Sequence, residues 1–378
     1  MTTRWVGLAL IVVACSHANN GPSDGNGGTG STNDAPASVL DAPNSSRLDA
    51  APPDAPSARF LCGDPVPDNA PIPTPPPVKT DCPMLGSGEN SFTSGGITRT
   101  FQLVLPTTPV EGEVYPVIVM WHWLKSTSDD VINTADVQAA VDDQRFIAVV
   151  PDNIPTDVFP TTYDVNWPFD ITQSDARMQQ EFSFFDDMLS CVEQQYTVNQ
   201  QCVSTFGVSA GGLFVDQLIQ ARSTTLSSFL SLSGGVGATI IKPWVGVTRK
   251  LPGLVLWGGK GPPTMLVKDI LGCFGIGMDF DVASTALEDG MTADGQFLVE
   301  CVHDCGHAVP PVDAPPGESQ FAGLWEFMFN HPYWLPPGTS PYQQTGLKDL
   351  PAWCAIGENN AVPRVGGTCP APINPCPF

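Results

Sequence analysis

The stretch Cys202-Val203-Ser204-Thr205-Phe206-Gly207-Val208-Ser209-Ala210-Gly211-Gly212 decides which fold we predict for this chain. An apolar, β-prone run enters a Gly-x-Ser-x-Gly motif, and the residues that follow, 213–221, have the spacing of an amphipathic helix. A strand, a sharp turn and a helix in this order form a nucleophile elbow, which exposes a serine at its apex. The pattern therefore predicts that Ser209 is a catalytic nucleophile.

Small residues surround Ser209 on both sides. Gly207, Ala210 and Gly211 allow the strand and the helix to approach closely, and they tolerate the strained backbone of such a turn. Backbone N–H groups at the start of the helix, including that of Ala210, can then face an oxyanion that develops during acyl transfer. We therefore place Ala210 in a predicted oxyanion hole.

Short apolar runs alternate with segments of helical spacing along the chain. The predicted strands are residues 100–105, 116–121, 146–150, 229–232, 254–257 and 296–302, and the predicted helices include 131–141, 181–196 and 320–329. This alternation predicts an α/β fold with a mostly parallel central sheet and helices on both faces. In open sheets of this kind, ligands bind at the carboxyl ends of the strands, where Ser209 is placed.

The first 59 residues differ in composition from the rest. Residues 1–14 combine a basic start with an apolar run too short to span a bilayer, which predicts a signal peptide. The run ends in Val12-Val13-Ala14-Cys15, which resembles the lipobox of bacterial lipoproteins and implies lipid attachment to Cys15; a plain signal peptide is the alternative. Residues 15–59 repeat Asp-Ala-Pro and contain few large apolar residues, so we predict a disordered tether.

Two segments complete the predicted organisation. Residues 60–335 carry the strand and helix patterns and should form the catalytic domain. Residues 336–378 are rich in Pro, Gly and Cys, and we expect a wrap that disulfides fasten to the domain; a small accessory binding element is the alternative.

The chain carries a formal net charge of −23 and has no cluster of Lys or Arg. Nucleic acid and anionic lipid surfaces bind basic patches, so we exclude both as partners and expect membrane contact only through lipid on Cys15. The stretch Cys301-x-x-x-Cys305-x-His307 has no second Cys/His pair at zinc spacing, so we predict no metal site.

Ten of the eleven cysteines remain when Cys15 is set aside, and an even number in an exported chain predicts disulfides. We expect a disulfide to close the proline-rich segment that holds Cys62 and Cys82. Further expected pairs are Cys191 with Cys202, and Cys273 with either Cys301 or Cys305.

The general base is predicted to be a histidine, because its pKa suits proton transfer near neutral pH. His303 and His307 both follow the last predicted strand, where a chain with a nucleophile elbow places its base. We favour His307 because it lies in a flexible turn, 305–310, whereas His303 can still belong to the strand.

Three stretches resemble the polyhydroxybutyrate depolymerase and feruloyl esterase group of α/β-hydrolases. They are Trp121-His122-Trp123-Leu124-Lys125-Ser126-Thr127-Ser128-Asp129-Asp130, Tyr196-Thr197-Val198-Asn199 and Gly306-His307-Ala308-Val309-Pro310, and the resemblance covers about residues 100–330 with gaps. It implies an α/β-hydrolase fold and cleavage of carboxylic esters of polyhydroxyalkanoate, feruloyl or acetyl type. The resemblance also implies that no cofactor takes part.

The chain departs from that group at two places. Trp123 stands where the group usually has Gly after the oxyanion-loop histidine. Its backbone N–H can still join the oxyanion hole, with that of Leu124 as the alternative, but its side chain narrows the cleft. Gly258-Gly259-Lys260-Gly261 lacks the acid that the group places after this strand. We choose Asp269, the nearest acid, as the third catalytic residue, with Asp279 and Asp281 as alternatives. His122 and Trp167 are predicted to bind substrate.

The sequence thus predicts a monomeric, lipid-anchored serine esterase on the bacterial outer membrane or cell surface, with secretion as the alternative localisation. Two other functions stay open. The missing acid and Trp123 would also fit a degenerate hydrolase fold kept as a binding lipoprotein. A serine peptidase on the same fold is the third hypothesis.

Overall fold

The computed structural model describes residues 60–154, 166–259, 269–273 and 276–371. The predicted signal peptide, lipidation site and tether all fall within residues 1–59, so these three predictions lie outside the described residues.

Strands and helices alternate through the described part of the chain. The strands are β1 Gly88–Ser94, β2 Ile97–Val104, β3 Tyr115–Trp121, β4 Ile147–Pro151, β5 Val198–Val208, β6 Ser228–Leu232, β7 Gly253–Gly258, β8 Ile270–Cys273, β9 Ile276–Asp279, β10 Leu298–His303 and β11 Cys354–Ile356. The helices are α1 Ser128–Thr134, α2 Val137–Gln144, α3 Asp175–Gln195, α4 Ala210–Arg222, α5 Phe280–Ala293, α6 Ala322–Phe329 and α7 Tyr342–Thr345.

Nine of the strands in the described residues form one sheet in the order β1-β2-β4-β3-β5-β6-β7-β10-β11. The central strands β4, β3, β5, β6, β7 and β10 are parallel, and the edges are closed by the antiparallel pairs β1-β2, β2-β4 and β10-β11. Strands β8 and β9 form a separate antiparallel hairpin. The predicted fold class, a mostly parallel sheet covered by helices, is confirmed.

Apolar side chains pack on both faces of this sheet. On β5, Val203 belongs to the core under α3 and α4, whereas Cys202 and Phe206 belong to the core under α1, α2 and α6. All residues of β4, β6 and β7 are buried. Buried runs of this kind are typical of parallel strands that helices cover on both sides.

Several elements differ from the sequence-based prediction. The single helix expected at 131–141 is divided into α1 and α2, because Asp136 takes a left-handed conformation with φ 47°. Helix α3 begins six residues earlier than expected, where the Ser174 hydroxyl accepts a hydrogen bond from the backbone N–H of Arg177. Strand β1, helix α5 and the β8–β9 hairpin were not predicted.

The predicted disulfide between Cys191 and Cys202 is wrong. The structure instead joins Cys62 to Cys202 and Cys82 to Cys191, with Cα–Cα distances of 6.0 and 5.5 Å. Cys191 and Cys202 belong to cores on opposite faces of the sheet, so a short connection cannot bring their sulfur atoms together. The expected closure of the proline-rich segment is likewise replaced by two bridges that tie its ends to the domain.

The C-terminal cysteines also pair differently from the prediction. Cys301 is joined to Cys354, and Cys305 is joined to Cys369, so neither can pair with Cys273 as predicted. The side chain of Cys273 lies outside the described residues.

The segment expected as an external wrap contributes to the domain itself. Strand β11 lies within it and forms the last strand of the central sheet, paired with β10. Trp353, which precedes β11, is buried in the core near α6. Among the described helices, none has the length and apolar character needed to cross a bilayer.

Candidate active site

Ser209 lies at the turn between β5 and α4, and its backbone is strained, with φ 55° and ψ −119°. The absence of side chains at two glycines makes this turn possible. A Cβ atom on Gly207 would lie 2.3 Å from the carbonyl oxygen of Gly211, and one on Gly211 would lie 2.1 Å from that of Trp121. The elbow predicted from the sequence is therefore formed by close backbone contacts that exclude side chains.

His307 lies in the turn after β10 and contacts Ser209 directly. Its Nε2 atom lies 2.9 Å from the Ser209 hydroxyl oxygen. Gly306 adopts a φ of 62°, and a Cβ atom on Gly258 would lie 2.2 Å from the Gly306 carbonyl oxygen. Both glycines are thus needed for the turn that brings His307 against the end of β7.

Asp269 lies on the other side of the His307 ring. Its Oδ1 atom accepts a hydrogen bond of 2.6 Å from His307 Nδ1, while Oδ2 accepts from the Ser233 hydroxyl at 2.7 Å and from the Gly258 N–H at 2.9 Å. Because an ionised carboxylate can only accept, His307 Nδ1 carries the proton and Nε2 is free to accept the Ser209 proton. The structure therefore brings Ser209, His307 and Asp269 into one hydrogen-bonded chain.

Two residues of this site were not found from the sequence. Phe280, the first residue of α5, stacks on the His307 ring with a centroid distance of 4.4 Å and an interplanar angle of 15°. Its backbone N–H donates to the Asp269 carbonyl at 2.9 Å, so the residue after the β8–β9 hairpin bonds to the residue before it. Ser233 follows the carboxyl end of β6. Because sites in such sheets form at the carboxyl ends of the strands, this position could have identified Ser233 from the sequence.

A buried carboxyl supports the turn that carries Ser233. Asp216 of α4 accepts hydrogen bonds from the Ser231 hydroxyl at 2.8 Å and from the Gly235 N–H at 2.5 Å. Burial raises the pKa of Asp216 to about 7, and these two hydrogen bonds oppose that shift. Asp216 thereby links the helix of the elbow to the turn that holds Asp269.

The predicted oxyanion loop begins at the end of β3. The Trp123 carbonyl accepts hydrogen bonds from His122 Nδ1 at 2.8 Å and from the Ser126 hydroxyl at 2.9 Å. Ala210 is the first residue of α4, so its N–H has no acceptor within the helix. Gly211 lies against the backbone of Trp121 and His122, which brings the start of α4 and this loop together.

The side chains of His122 and Trp167 do not fit the substrate-binding role that we predicted for them. They are 0% and 1% exposed, and Trp167 Nε1 donates a hydrogen bond of 2.8 Å to the His122 carbonyl. Burial lowers the pKa of His122, which keeps the ring neutral with its proton on Nδ1. Both residues instead support the loop that carries Trp123.

The alternatives to His307 and Asp269 occupy other positions. His303 ends β10, accepts a hydrogen bond of 3.1 Å from the Cys305 N–H, and has its pKa lowered to about 4 by burial. Asp279 caps α5 by accepting from the Val282 N–H at 3.3 Å. Asp281 lies in the first turn of α5.

One group of potential metal ligands occurs in the described residues. It consists of Asp304, Cys305 and Cys369. The two cysteines are joined in a disulfide, and the Asp304 carboxylate pairs with Arg364. This group therefore offers no thiolate to a metal ion.

The model of the Esterase family, described as "Putative esterase", matches residues 94–269 and so ends at the acid that contacts His307. No curated protein is significantly similar to the chain. The family match and the fold confirm the resemblance predicted from the sequence, and they support a carboxylic ester hydrolase.

Solved structures share this fold at low sequence identity. Native sOPH is 18% identical with a TM-score of 0.59, and the match covers 74% of this chain and 98% of that one. A variant of pOPH in complex with pNPB is 18% identical with a TM-score of 0.58, covering 74% and 97%. A ferulic acid esterase of Anaeromyces mucronatus in complex with ferulic acid is 14% identical with a TM-score of 0.44, covering 72% and 95%, a similarity too low to support an argument.

Proposed function

We propose that this chain, whose residues 94–269 match the esterase family, is a serine esterase that works through an acyl-enzyme. One observation carries the proposal. The hydroxyl of Ser209 lies 2.9 Å from His307 Nε2, and His307 Nδ1 lies 2.6 Å from Asp269. This is the arrangement of nucleophile, base and orienting acid that activates a serine.

In the proposed reaction, His307 Nε2 takes the Ser209 proton while the serine oxygen attacks the ester carbonyl carbon. The backbone N–H groups of Ala210 and Trp123 are proposed to stabilise the resulting oxyanion. His307 then protonates the departing alcohol, which leaves an acyl group on Ser209. Water, deprotonated by the same histidine, releases the carboxylic acid and restores the hydroxyl.

Asp269 is proposed to orient the His307 ring and to stabilise its charged form. It is fully buried and accepts three hydrogen bonds, so its carboxylate is held in one orientation. The stacked ring of Phe280 covers one face of the imidazole and limits its rotation. No cofactor takes part in these steps.

The test is hydrolysis of short p-nitrophenyl esters by the protein with its disulfides intact. We expect an organophosphate to label Ser209. We also expect kcat to fall by at least about 10⁴-fold in Ser209→Ala and in His307→Ala. Ser183→Ala, on α3, is the matched serine control, and His303→Asn keeps an acceptor for the Cys305 N–H. Activity near the wild-type value in Ser209→Ala would reject the assignment.

The other two functions give different results in the same assays. A binding lipoprotein with a degenerate site would hydrolyse none of the esters, and the organophosphate would not label Ser209. A serine peptidase would also cleave peptide anilides, which an esterase would leave intact. Assays with polyhydroxyalkanoate, feruloyl and acetyl esters would then divide the ester classes that the resemblance implies.

The localisation proposed is the bacterial outer membrane or cell surface, with lipid on Cys15 and a monomeric domain on a tether. The four disulfides within the described residues support folding in an oxidising compartment. Mass spectrometry of the mature N-terminus should find a lipid-modified Cys15. An unmodified chain that stays in the soluble fraction would support secretion instead.

A further inference from the structure

A narrow apolar cavity lies beside the Ser209 elbow, on the face of the sheet covered by α1 and α6. Its volume is about 30 Å³. This is far below the range for sites that hold a whole ligand, roughly 300–1,000 Å³. The cavity can therefore take only a few atoms of a substrate.

Residues next to the candidate catalytic groups line this cavity. Val208 directly precedes Ser209, and the Leu232 carbonyl accepts a hydrogen bond of 2.8 Å from the Ser209 N–H. Val309 follows two residues after His307. The cavity is thus lined by residues that adjoin the candidate catalytic groups in the chain or bond to their backbone.

The wall of the cavity is almost entirely carbon. Among the described lining residues, Thr134 is the one with a hydroxyl, the indoles of Trp123 and Trp325 carry N–H groups, and the others, Leu324 among them, are apolar. An unpaired hydroxyl or carbonyl placed here would lose its hydrogen bonds to water, at a cost of about 1–3 kcal/mol. A plain hydrocarbon chain has no such cost and gains from burial.

Trp123 limits the space in this cavity. Its half-buried side chain forms part of the wall, at the position where the resembling esterase group usually has glycine. Its carbonyl is fixed by His122 and Ser126, so the loop around it has little freedom to move away. The indole ring should therefore set the size of the group that fits.

We propose that this cavity binds the acyl chain of the ester, that the chain is a short, unsubstituted aliphatic one, and that Trp123 sets its maximum length. The proposal rests on the proposed function, because it concerns the group attached to Ser209. Neither the family match nor the resemblance decides which class of acyl group the protein accepts. Feruloyl and 3-hydroxyacyl groups are disfavoured, the first by its ring and the second by its hydroxyl.

The experiment compares kcat/KM for p-nitrophenyl acetate, butyrate, hexanoate and octanoate, and for butyrate against 3-hydroxybutyrate. Wild type should prefer the short unsubstituted esters, with octanoate lower than butyrate by at least about tenfold. Trp123→Ala should raise the octanoate-to-butyrate ratio of kcat/KM by about tenfold. The ratio for Trp123→Phe should lie between those of wild type and Trp123→Ala. The ratio is used because Trp123→Ala can also disturb the oxyanion loop, which affects both esters alike.

A second variant acts at another residue of the cavity wall. Ala135, at the end of α1, lines the cavity and is buried, so Ala135→Leu should fill it and lower the hexanoate-to-acetate ratio. Thr98→Val, at an exposed position of β2 that does not line the cavity, is the control and should leave the chain-length ratios unchanged. Unchanged ratios in both Trp123→Ala and Ala135→Leu, or a preference for 3-hydroxybutyrate or a feruloyl ester, would overturn the proposal. Loss of all ester hydrolysis with no labelling of Ser209 would instead reject the proposed function, and this proposal with it.

Discussion

The nucleophile and the acid of the candidate site are held in place by different means. Ser209 is positioned by adjacent residues, because Gly207 and Gly211 allow β5 and α4 to meet at backbone contact distance. Asp269 is positioned by side chains and amides distant in sequence, those of His307, Ser233 and Gly258. A local motif therefore fixes the nucleophile, whereas the acid can come from a segment whose only requirement is that its carboxylate reaches the histidine and the donors that hold it.

The sharpest test of this comparison is to remove the charge of the acid. Asp269→Asn keeps the size of the side chain but cannot stabilise a protonated His307. We expect kcat to fall by about 10³–10⁴-fold with a small change in KM, by analogy with other serine hydrolases. Asp279→Asn and Asp281→Asn are the controls, since both residues lie at the start of α5. If either control fell as far as Asp269→Asn, the acid would be wrongly assigned.

The elbow can be broken by a single methyl group. Replacing Gly211 with alanine would by itself favour helix α4 by about 1 kcal/mol. The new Cβ atom would, however, lie 2.1 Å from the Trp121 carbonyl oxygen, so the backbone must move. We expect Gly211→Ala to lower the free energy of unfolding by about 3 kcal/mol or more and to abolish activity. In Gly86→Ala the new methyl group has no atom within 4 Å, and a change within about 0.5 kcal/mol is expected. Equal stabilities of the two variants in urea unfolding would contradict the close approach.

Asp216 connects the two regions, and its titration gives a test that depends on pH. Burial raises its pKa from 3.8 to about 7, so the folded chain binds the proton more tightly than the unfolded chain. The contribution to stability is fully present below about pH 4 and is lost as pH rises toward 7. Asp216→Asn, which does not titrate, should therefore gain about 2–3 kcal/mol relative to wild type between pH 5 and pH 8. A constant difference in the free energy of unfolding across this range would show that Asp216 titrates normally.

Ser233 gives the smallest expected effect and the most direct measure of how the acid is held. Ser233→Ala removes one of three donors to Asp269 and should lower kcat by about tenfold, with KM and Tm nearly unchanged. Ser284→Ala is the matched control, because the Ser284 hydroxyl donates to the Gly234 carbonyl in the same turn and not to Asp269. An equal loss in both variants would mean that the turn as a whole, and not this hydrogen bond, supports the acid.

The sequence determined what depends on neighbouring residues. The elbow, the order of parallel strands and helices, and the turn that carries His307 all follow from local patterns of apolar, small and glycine residues. Asp269 was also chosen from the sequence, but only as the nearest acid after β7, with two others left open.

Only the tertiary structure decided which distant residues meet. The partners of Asp269 come from β6, β7 and the turn after β10, and Phe280 reaches His307 through a hairpin that no local pattern predicted. The disulfides depend on which face of the sheet each cysteine occupies, which is why the expected pair of Cys191 and Cys202 does not form. The apolar cavity beside Ser209 likewise arises where separate segments pack together. Such contacts depend on how the sheet and helices pack in three dimensions, and spacing along the chain carries no record of that packing.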